Sequence, residues 1–586
     1  MSHLNLYGRG LSLRIAILIT CQVSFTVYGY NQGVFSGIVG NEDFLDIVHH
    51  PGAVFVGFIV SIYNIGCSAG AILAFLTSDR LGFRWTMWQS TAWVLIGAVL
   101  QASSFTTAQL LVARFVTGIG VGTMTTVTPV YQSELCEARR RGMYVCSQPL
   151  CVGVGIVLSY WFDYGMSYVD GPMSWRLPIA CQGVLVIFIA GMVVGLPENP
   201  RWLYRRGNVA QGFQVLCDFY DCLPDDPKVI KESEGIQRAI ELDALRGEYK
   251  WSQLFKKDEL RTGRRVLLAF GLQFMNQMCG VNMIVSYVTS IFETNIGLDK
   301  KTSLLMGGVI QFMFSLGAFY PTFFVDRLGR RKPMLWGSFG LFLCMMMISI
   351  LLSFQGTAVE TETASASVAF FFLFLLTFGA SLNCIPWVYG PELLPLHVRA
   401  KGTAISIAAN WLWNFFISMI SPTLIEDLAW KGYLIFMCFN FLFIPTIYFF
   451  YPETAGLTLE QIDTLFLTKR SALPPPDEEH IHCDCGIERP DEKDSGPGSG
   501  DDKKCPRPRV TEVSVTDDGS GSSYSSSPTS TSRSASGTSP VEEDVITPVD
   551  GGGTKDRGKD MDIRPAADGA GGATGGDGPA SSGRLG

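Results

Sequence analysis

Phe270–Tyr287 reads FGLQFMNQMCGVNMIVSY, a stretch without a single charge, apolar enough to enter a bilayer, yet holding Gln273, Asn276, Gln277 and Asn282. Gln273 and Gln277 lie four residues apart and share one helical face, with Asn276 beside them. Gly280 loosens the helix just beyond. Amides in lipid are costly unless they face partners or water. A carboxamide offers donors and acceptors and carries no charge. Such a cluster suits a neutral, hydroxyl-rich ligand better than an ion. The same groups can also tie helices together, as amides do in membrane bundles.

Working outward, the whole chain supports a membrane setting. Its 586 residues are 47% hydrophobic, too apolar for an ordinary soluble protein of that length. The net charge of −8 hides a segregation in which some loops are basic and the alternate loops and C-terminal segment are acidic. No nucleic-acid signature is present. The 15 cysteines are mostly scattered singly through apolar runs, and none falls in the loops expected outside, so no disulfide framework is implied. The first apolar run, from Ile15, lacks a cleavage site and reads as a membrane helix.

Spans of bilayer length begin near Ile15, Ala53, Trp85, Ala108, Met143, Leu177, Val266, Ser303, Met334, Val368, Thr403 and Tyr433. The expected fold is therefore an all-α membrane protein with twelve transmembrane helices in two pseudo-symmetric six-helix bundles. The expected divisions are an N-terminal segment 1–14, bundles 15–200 and 266–452, a linker 201–265 with short helices, and a tail 453–586. From about residue 471 the tail is too rich in Gly, Ser and charge to bury a core and is expected to be disordered. Basic residues cluster in one set of loops, at Arg80, Arg84, Arg139, Arg140, Arg327, Arg330, Arg331 and Arg399. Acidic residues such as Glu42, Asp163, Glu360 and Glu426 mark the other set. By the positive-inside rule the basic side, with both termini, is cytoplasmic. The plasma membrane is the default location.

The chain repeats itself. Asp79-Arg-Leu-Gly-Phe-Arg84 matches Asp326-Arg-Leu-Gly-Arg-Arg331. Glu134, with Arg139 and Arg140 behind it, matches Glu392 with Arg399. Pro197-Glu198-Asn-Pro-Arg201 matches Pro452-Glu453. Three pairs in the same order, each offset by about 250 residues, indicate two like-oriented halves of the kind used for alternating access. Their carboxylates and arginines, among them Asp79, Arg80, Glu134, Glu198, Arg201, Asp326, Arg327 and Glu453, form a candidate cytoplasmic gate. Solvated pairs of this kind are individually weak.

These residues, from Arg14 to Phe466, resemble the sugar porter family of the major facilitator superfamily, and within it fungal sugar transporters. The resemblance rests on Gly29-Tyr-Asn-Gln-Gly33, Arg114-Phe-Val-Thr-Gly-Ile-Gly-Val-Gly122, Gln148, and Asn276-Gln277 with Gly280 and Asn282. Pro386-Trp387, Asn410-Trp411, Asn414 and the paired loop signatures complete it. It implies a central sugar cavity contacted by Gln148, Gln277, Asn282, Trp387, Asn410 and Asn414; Gln273 and Asn276 join them from the amide stretch. A Trp face and amide groups match the C–H face and hydroxyls of a pyranose. Phe83 stands where the first loop signature usually has a basic residue, and Ser286-Tyr287 where relatives often have two tyrosines.

Fungal proton symporters of this type usually carry Asp where this chain has Asn31, opposite Arg114. Asn cannot ionise, and no other carboxylate is expected within a span. Facilitated movement of a monosaccharide, such as a hexose, is the reading favoured over sugar:proton symport. A third reading, from fungal glucose sensors, makes the tail a signalling arm with cytosolic partners. No enzyme motif, cofactor or metal site is expected.

Overall fold

The computed structural model describes residues 6–136, 141–246, 260–395, 398–457 and 459–467. The tail beyond 467, with its expected disorder, and the gate residues Arg139 and Arg140 lie outside the described residues. Helix dominates, and no strand occurs among the described residues.

The first half contains α1 (Leu11–Ile38), short α2 (Glu42–Ile47), α3 (Ala53–Leu81), α4 (Phe83–Ala102), α5 (Thr107–Glu134), α6 (Arg141–Met166) and α7 (Met173–Val194). Three short helices follow: α8 (Pro200–Arg205), α9 (Val209–Tyr220) and α10 (Pro227–Arg246). The helix-like spacing of Val229–Leu245 thus falls in α10. The second half contains α11 (Thr262–Met278), α12 (Val281–Ile291), α13 (Lys300–Leu328), α14 (Arg331–Leu352), α15 (Glu360–Ala380), α16 (Ile385–Leu393), α17 (Arg399–Glu426), α18 (Trp430–Phe450) and the terminal α19 (Leu459–Leu467). Every expected span start falls inside a helix, and all but Trp85 in α4 and Val266 in α11 fall inside a segment that is long and apolar enough to cross a membrane.

Ten segments are long and apolar enough to cross a membrane by length and composition, with α15 and α16 counted as one. The other two expected crossings, α4 and α11–α12, fall short in hydropathy or in unbroken helix length. In α4, Arg84, Gln89, Ser90 and Thr91 lower the hydropathy. In the α11–α12 crossing the helix breaks at Gly280. That residue has φ +94°, and a Cβ there would sit 2.8 Å from the Phe436 ring. Only glycine makes this turn without strain. A second break, at Tyr287 (φ −133°), leads into a π-helical turn over Phe292–Ile296. The α15–α16 crossing is likewise interrupted between Ser381 and Cys384.

Within the first half, α3 packs on α5 and α1 on α6; within the second, α14 packs on α18 and α13 on α15. The halves meet along α3 with α17 and along α6 with α13, and α1 also touches α12. One expectation fails. Helix α6 runs on to Met166, so Asp163, expected in an external loop, lies in its last turn and is only 5% exposed. A carboxylate does therefore lie within a span.

Candidate functional site

The broken helices converge on a cavity between the halves. Asn276, Gln277, Asn282, Trp387 and Asn410 line it from the second half, and Phe25, Tyr28 and Gln32 line it from α1. The break at Gly280 separates Gln277 from Asn282 and turns both inward. Discontinuous helices build midplane sites in this way, because their freed ends must line a cavity or be buried in protein.

The amides form one connected network. Gln32 Nε2 donates to Asn282 Oδ1 at 3.1 Å, and Asn282 Nδ2 donates to Gln277 Oε1. Gln277 Nε2 donates to Asn410 Oδ1 at 2.7 Å and to Asn276 Oδ1 at 3.0 Å. Asn276 Nδ2 donates to the Leu382 carbonyl at the α15–α16 break, 2.7 Å away. The chain therefore runs from the first half to the second through neutral groups. Among the described residues, Asn410 Nδ2 and Asn383 Nδ2 are buried donors left without a protein partner. Buried donors of that kind are the groups a hydroxyl-bearing ligand satisfies.

The walls are aromatic. Trp387 meets Phe25 edge-on at 6.4 Å, and Trp411 takes Tyr28 at 5.1 Å and Tyr63 at 6.3 Å. These rings close the space between α1, α3, α16 and α17. The cavity is about 50 Å³. That is room for a few waters, whereas a pyranose has about a dozen heavy atoms, so its lining must part to admit one. Contacts between the halves lie on both sides of it. Tyr160 donates to the Val285 carbonyl at 2.6 Å towards the acidic end, and Thr322 donates to the Cys146 carbonyl at 3.1 Å towards the basic end.

Asn31 and Arg114 are both buried, but they do not bond to each other. Asn31 Nδ2 donates to the Val27 carbonyl of its own helix at 3.0 Å. Arg114 Nη2 donates to the Val60 carbonyl of α3 at 2.6 Å, and its guanidinium lies 3.8 Å from the centre of the Phe35 ring. Carbonyls and a ring face thus support this cation where a carboxylate would otherwise be needed.

At the basic end the loop signatures meet in space, and the two halves are near copies. Gly82 and Gly329, both at positive φ, turn the chain into α4 and α14. The carboxylate of Glu198 accepts from the Phe83 and Arg84 amides at 2.8 and 3.2 Å; Glu453 accepts from those of Arg330 and Arg331 at 2.8 and 3.0 Å. A carboxylate at a helix N-terminus meets free N–H groups and the positive dipole end. Arg84 reaches the Val194 carbonyl, and Arg331 the Tyr448 carbonyl. Tyr131 and Tyr389 donate to the carbonyls of Pro197 and Pro452. Burial pushes the Glu198 carboxyl up, partly offset by the amides of Asn199, Arg84 and Phe83.

The expected clasp between the halves takes a different form. Arg330 pairs with Glu392 and with Asp326 at 2.9 and 3.3 Å, all within the second half. The Asp79 and Arg80 side chains are exposed, and their carbonyls accept from Trp202 and Arg206. Arg201 and Arg327 are exposed as well. Arg399 donates to the Pro391 and Leu394 carbonyls. Glu134 is partly buried at the end of α5.

The family model for sugar (and other) transporters matches residues 16–466. The chain belongs to the sugar transporter family. The sugar transporter STL1 of Saccharomyces cerevisiae is 33% identical over 79% of this chain and 83% of its own length. The low-affinity glucose transporter HXT4 of the same species is 29% identical over 79% and 83%. Among solved structures, the proton:xylose symporter XylE bound to 6-bromo-6-deoxy-D-glucose superposes with a TM-score of 0.67 at 23% identity, covering 78% of this chain and 99% of its own.

In this sugar transporter, three residues expected at the cavity are not among its lining. Gln148 donates to Gln132, Gln273 reaches the Pro386 carbonyl at 3.5 Å, and Asn414 accepts from Ser418 at 3.0 Å. One end of each amide is taken by a neighbouring residue, while Gln273 Oε1 and Asn414 Nδ2 are buried without a partner among the described residues. Conversely, Gln32 and Asn383 line the cavity without belonging to the expected binding set. Gln32 sits inside the quoted α1 motif, so a signal for it existed. Asn383 lies in the α15–α16 break, which periodicity does not reveal.

Proposed function

We propose that this chain carries a monosaccharide, a hexose such as glucose, by alternating access and down the sugar's own gradient. The observation that carries this reading is the uncharged amide chain from Gln32 through Asn282 and Gln277 to Asn410, set among aromatic rings. Hydroxyl groups can replace its links one for one, and a Trp face suits the apolar face of a pyranose. The similarity to a glucose transporter supports a hexose. Asn31 supports passive movement, because it cannot take up a proton. The basic end faces the cytoplasm in this reading, with both termini, and the plasma membrane is its setting.

The test is flux in proteoliposomes. Radiolabelled D-glucose should equilibrate down its gradient, and an imposed pH gradient should not concentrate it. Proton-driven accumulation would overturn uniport in favour of symport, and Asn31→Asp asks whether a carboxyl at that position adds coupling. The long polar segment after Phe466 supports a second reading, a sugar sensor that works through its tail. Growth of a host lacking hexose carriers separates the two: rescue supports the carrier, while tail-dependent gene induction without uptake supports the sensor.

A further inference from the structure

Asp163 is a buried carboxyl that the amide cavity does not use. It packs against Gly37 of α1 so closely that a Cβ at position 37 would sit 2.6 Å from its Oδ2. Neither carboxylate oxygen finds a hydrogen-bond partner of good geometry among the described residues; the backbone of Gly37 is the polar group it lies against. Among the described residues the surrounding helices supply no counter-charge. Tyr30 of α1 donates to the Pro178 carbonyl at 2.8 Å, and Tyr160 of α6 is spent on Ser36 and Val285. From α7, Arg176 is held by the Ser104 carbonyl and the Phe105 ring. From α13, Gln311 is neutral, Lys300 is bound to the Gly40 carbonyl at 2.5 Å, and Lys301 lies over Tyr168. From α5, Arg114 is held by carbonyls of α3.

An ionised carboxylate without partners in such a site costs several kcal/mol, so the closed contact requires the neutral acid. The contact also bears on closure between the halves. Ser36, adjacent to Gly37, shares the Tyr160 hydroxyl, and that hydroxyl donates to Val285 on α12 of the other half. We propose that Asp163 is a proton-binding latch at the acidic end of the transporter: the α1–α6 contact closes with the carboxyl protonated and loosens when it ionises. Its proton comes from and returns to one side. Asp163 lies about 10 Å along α6 from Ile156, the nearest cavity-lining residue of that helix, at 1.5 Å per residue, in the turn nearest the acidic end. The latch therefore sets how often that end opens without coupling proton flow to sugar accumulation. It goes beyond the transport reading and is testable without any sugar.

The sign follows from linkage. The closed form holds one proton more than the open form, so rising pH favours opening, by up to tenfold per unit above an exposed carboxyl's value of about 4. The experiment is hydrogen–deuterium exchange on the purified full-length protein, with Asp163→Asn and Asp163→Ser, from pH 5 to pH 8. At pH 5, one unit above the exposed value, the wild type should exceed both variants around Gly37 and Asp163 by no more than about tenfold, and the excess should grow as pH rises. At pH 8 the wild type should exchange at least tenfold faster there than either variant. Equal exchange at every pH would overturn the latch. Infrared difference spectra give a second readout: a protonated-carboxyl stretch present in the wild type at pH 5 and missing in the variants. Lack of that band would overturn it too.

Discussion

Arg330 grips Glu392 with two nitrogens, at 2.9 and 3.2 Å, and Phe83 occupies the matching position in the first half. Arg330 is nearly buried, and Thr454 donates to the same carboxylate at 2.8 Å. The attraction of Glu392 and Asp326 outweighs burial and holds the Arg330 guanidinium above its ordinary value. Removing one partner of such a pair leaves a charge stranded, at a cost of about 3–5 kcal/mol when fully buried and less here, where Glu392 is partly open. Arg330→Glu should cut transport at least tenfold while membrane insertion is retained. Uptake normalised to the amount of inserted protein checks this; normal uptake would remove the cluster from the gate.

Glu198 provides a pH prediction. Its carboxyl is raised in the folded protein, so its stabilisation is fully present below the unfolded value and fades as pH rises through the folded one. The wild type should therefore gain thermal stability relative to Glu198→Gln as the pH falls from 7 towards 5. Melting curves of both proteins at matched pH test the sign, and the reverse trend would show that the Phe83 and Arg84 amides dominate over burial.

Gln277 bonds to Asn276, Asn282 and Asn410 at once. Gln277→Ala should weaken sugar affinity by about 1–3 kcal/mol, roughly fivefold to 150-fold, since each lost bond leaves a buried partner unsatisfied. Concentration dependence of uptake measures it. An unchanged half-saturation concentration would make the network a helix tie and not a binding surface.

Gly280→Ala places a methyl group against Phe436 at a backbone angle that disfavours side chains. The cost should be about 1–3 kcal/mol, with the melting temperature falling by a few degrees. Gly297, also at positive φ but with open space around it, serves as the control for backbone angle alone. A Gly280→Ala protein no less stable than Gly297→Ala would show that the Phe436 contact relaxes freely.

Much of the architecture was legible in the chain. Apolar run length locates the crossings because an unsatisfied backbone cannot face lipid. The paired loop signatures recur because two like-oriented halves need the same turn, and Glu198 and Glu453 make that turn in nearly identical ways. The amides of Phe270–Tyr287 stood out because polar groups in a span demand a reason. Partner choice was less legible. Gln148, Gln273 and Asn414 have the right chemistry, yet each is turned to a neighbour. Asp163 looks like loop composition until α6 is seen to continue past it.

Length, hydropathy and repetition thus determined by sequence alone a twelve-crossing, two-part membrane protein with a neutral polar centre, since the cost of polar groups in hydrocarbon is set residue by residue; the sugar porter reading came from the resemblance of its motifs. Which amides share one cavity, where Arg330 finds its carboxylate and that Asp163 finds none were decided only by tertiary structure. Those outcomes depend on helix rotation and on the breaks at Gly280 and Ser381, where a rotation of one residue turns a side chain from the cavity to a neighbouring helix.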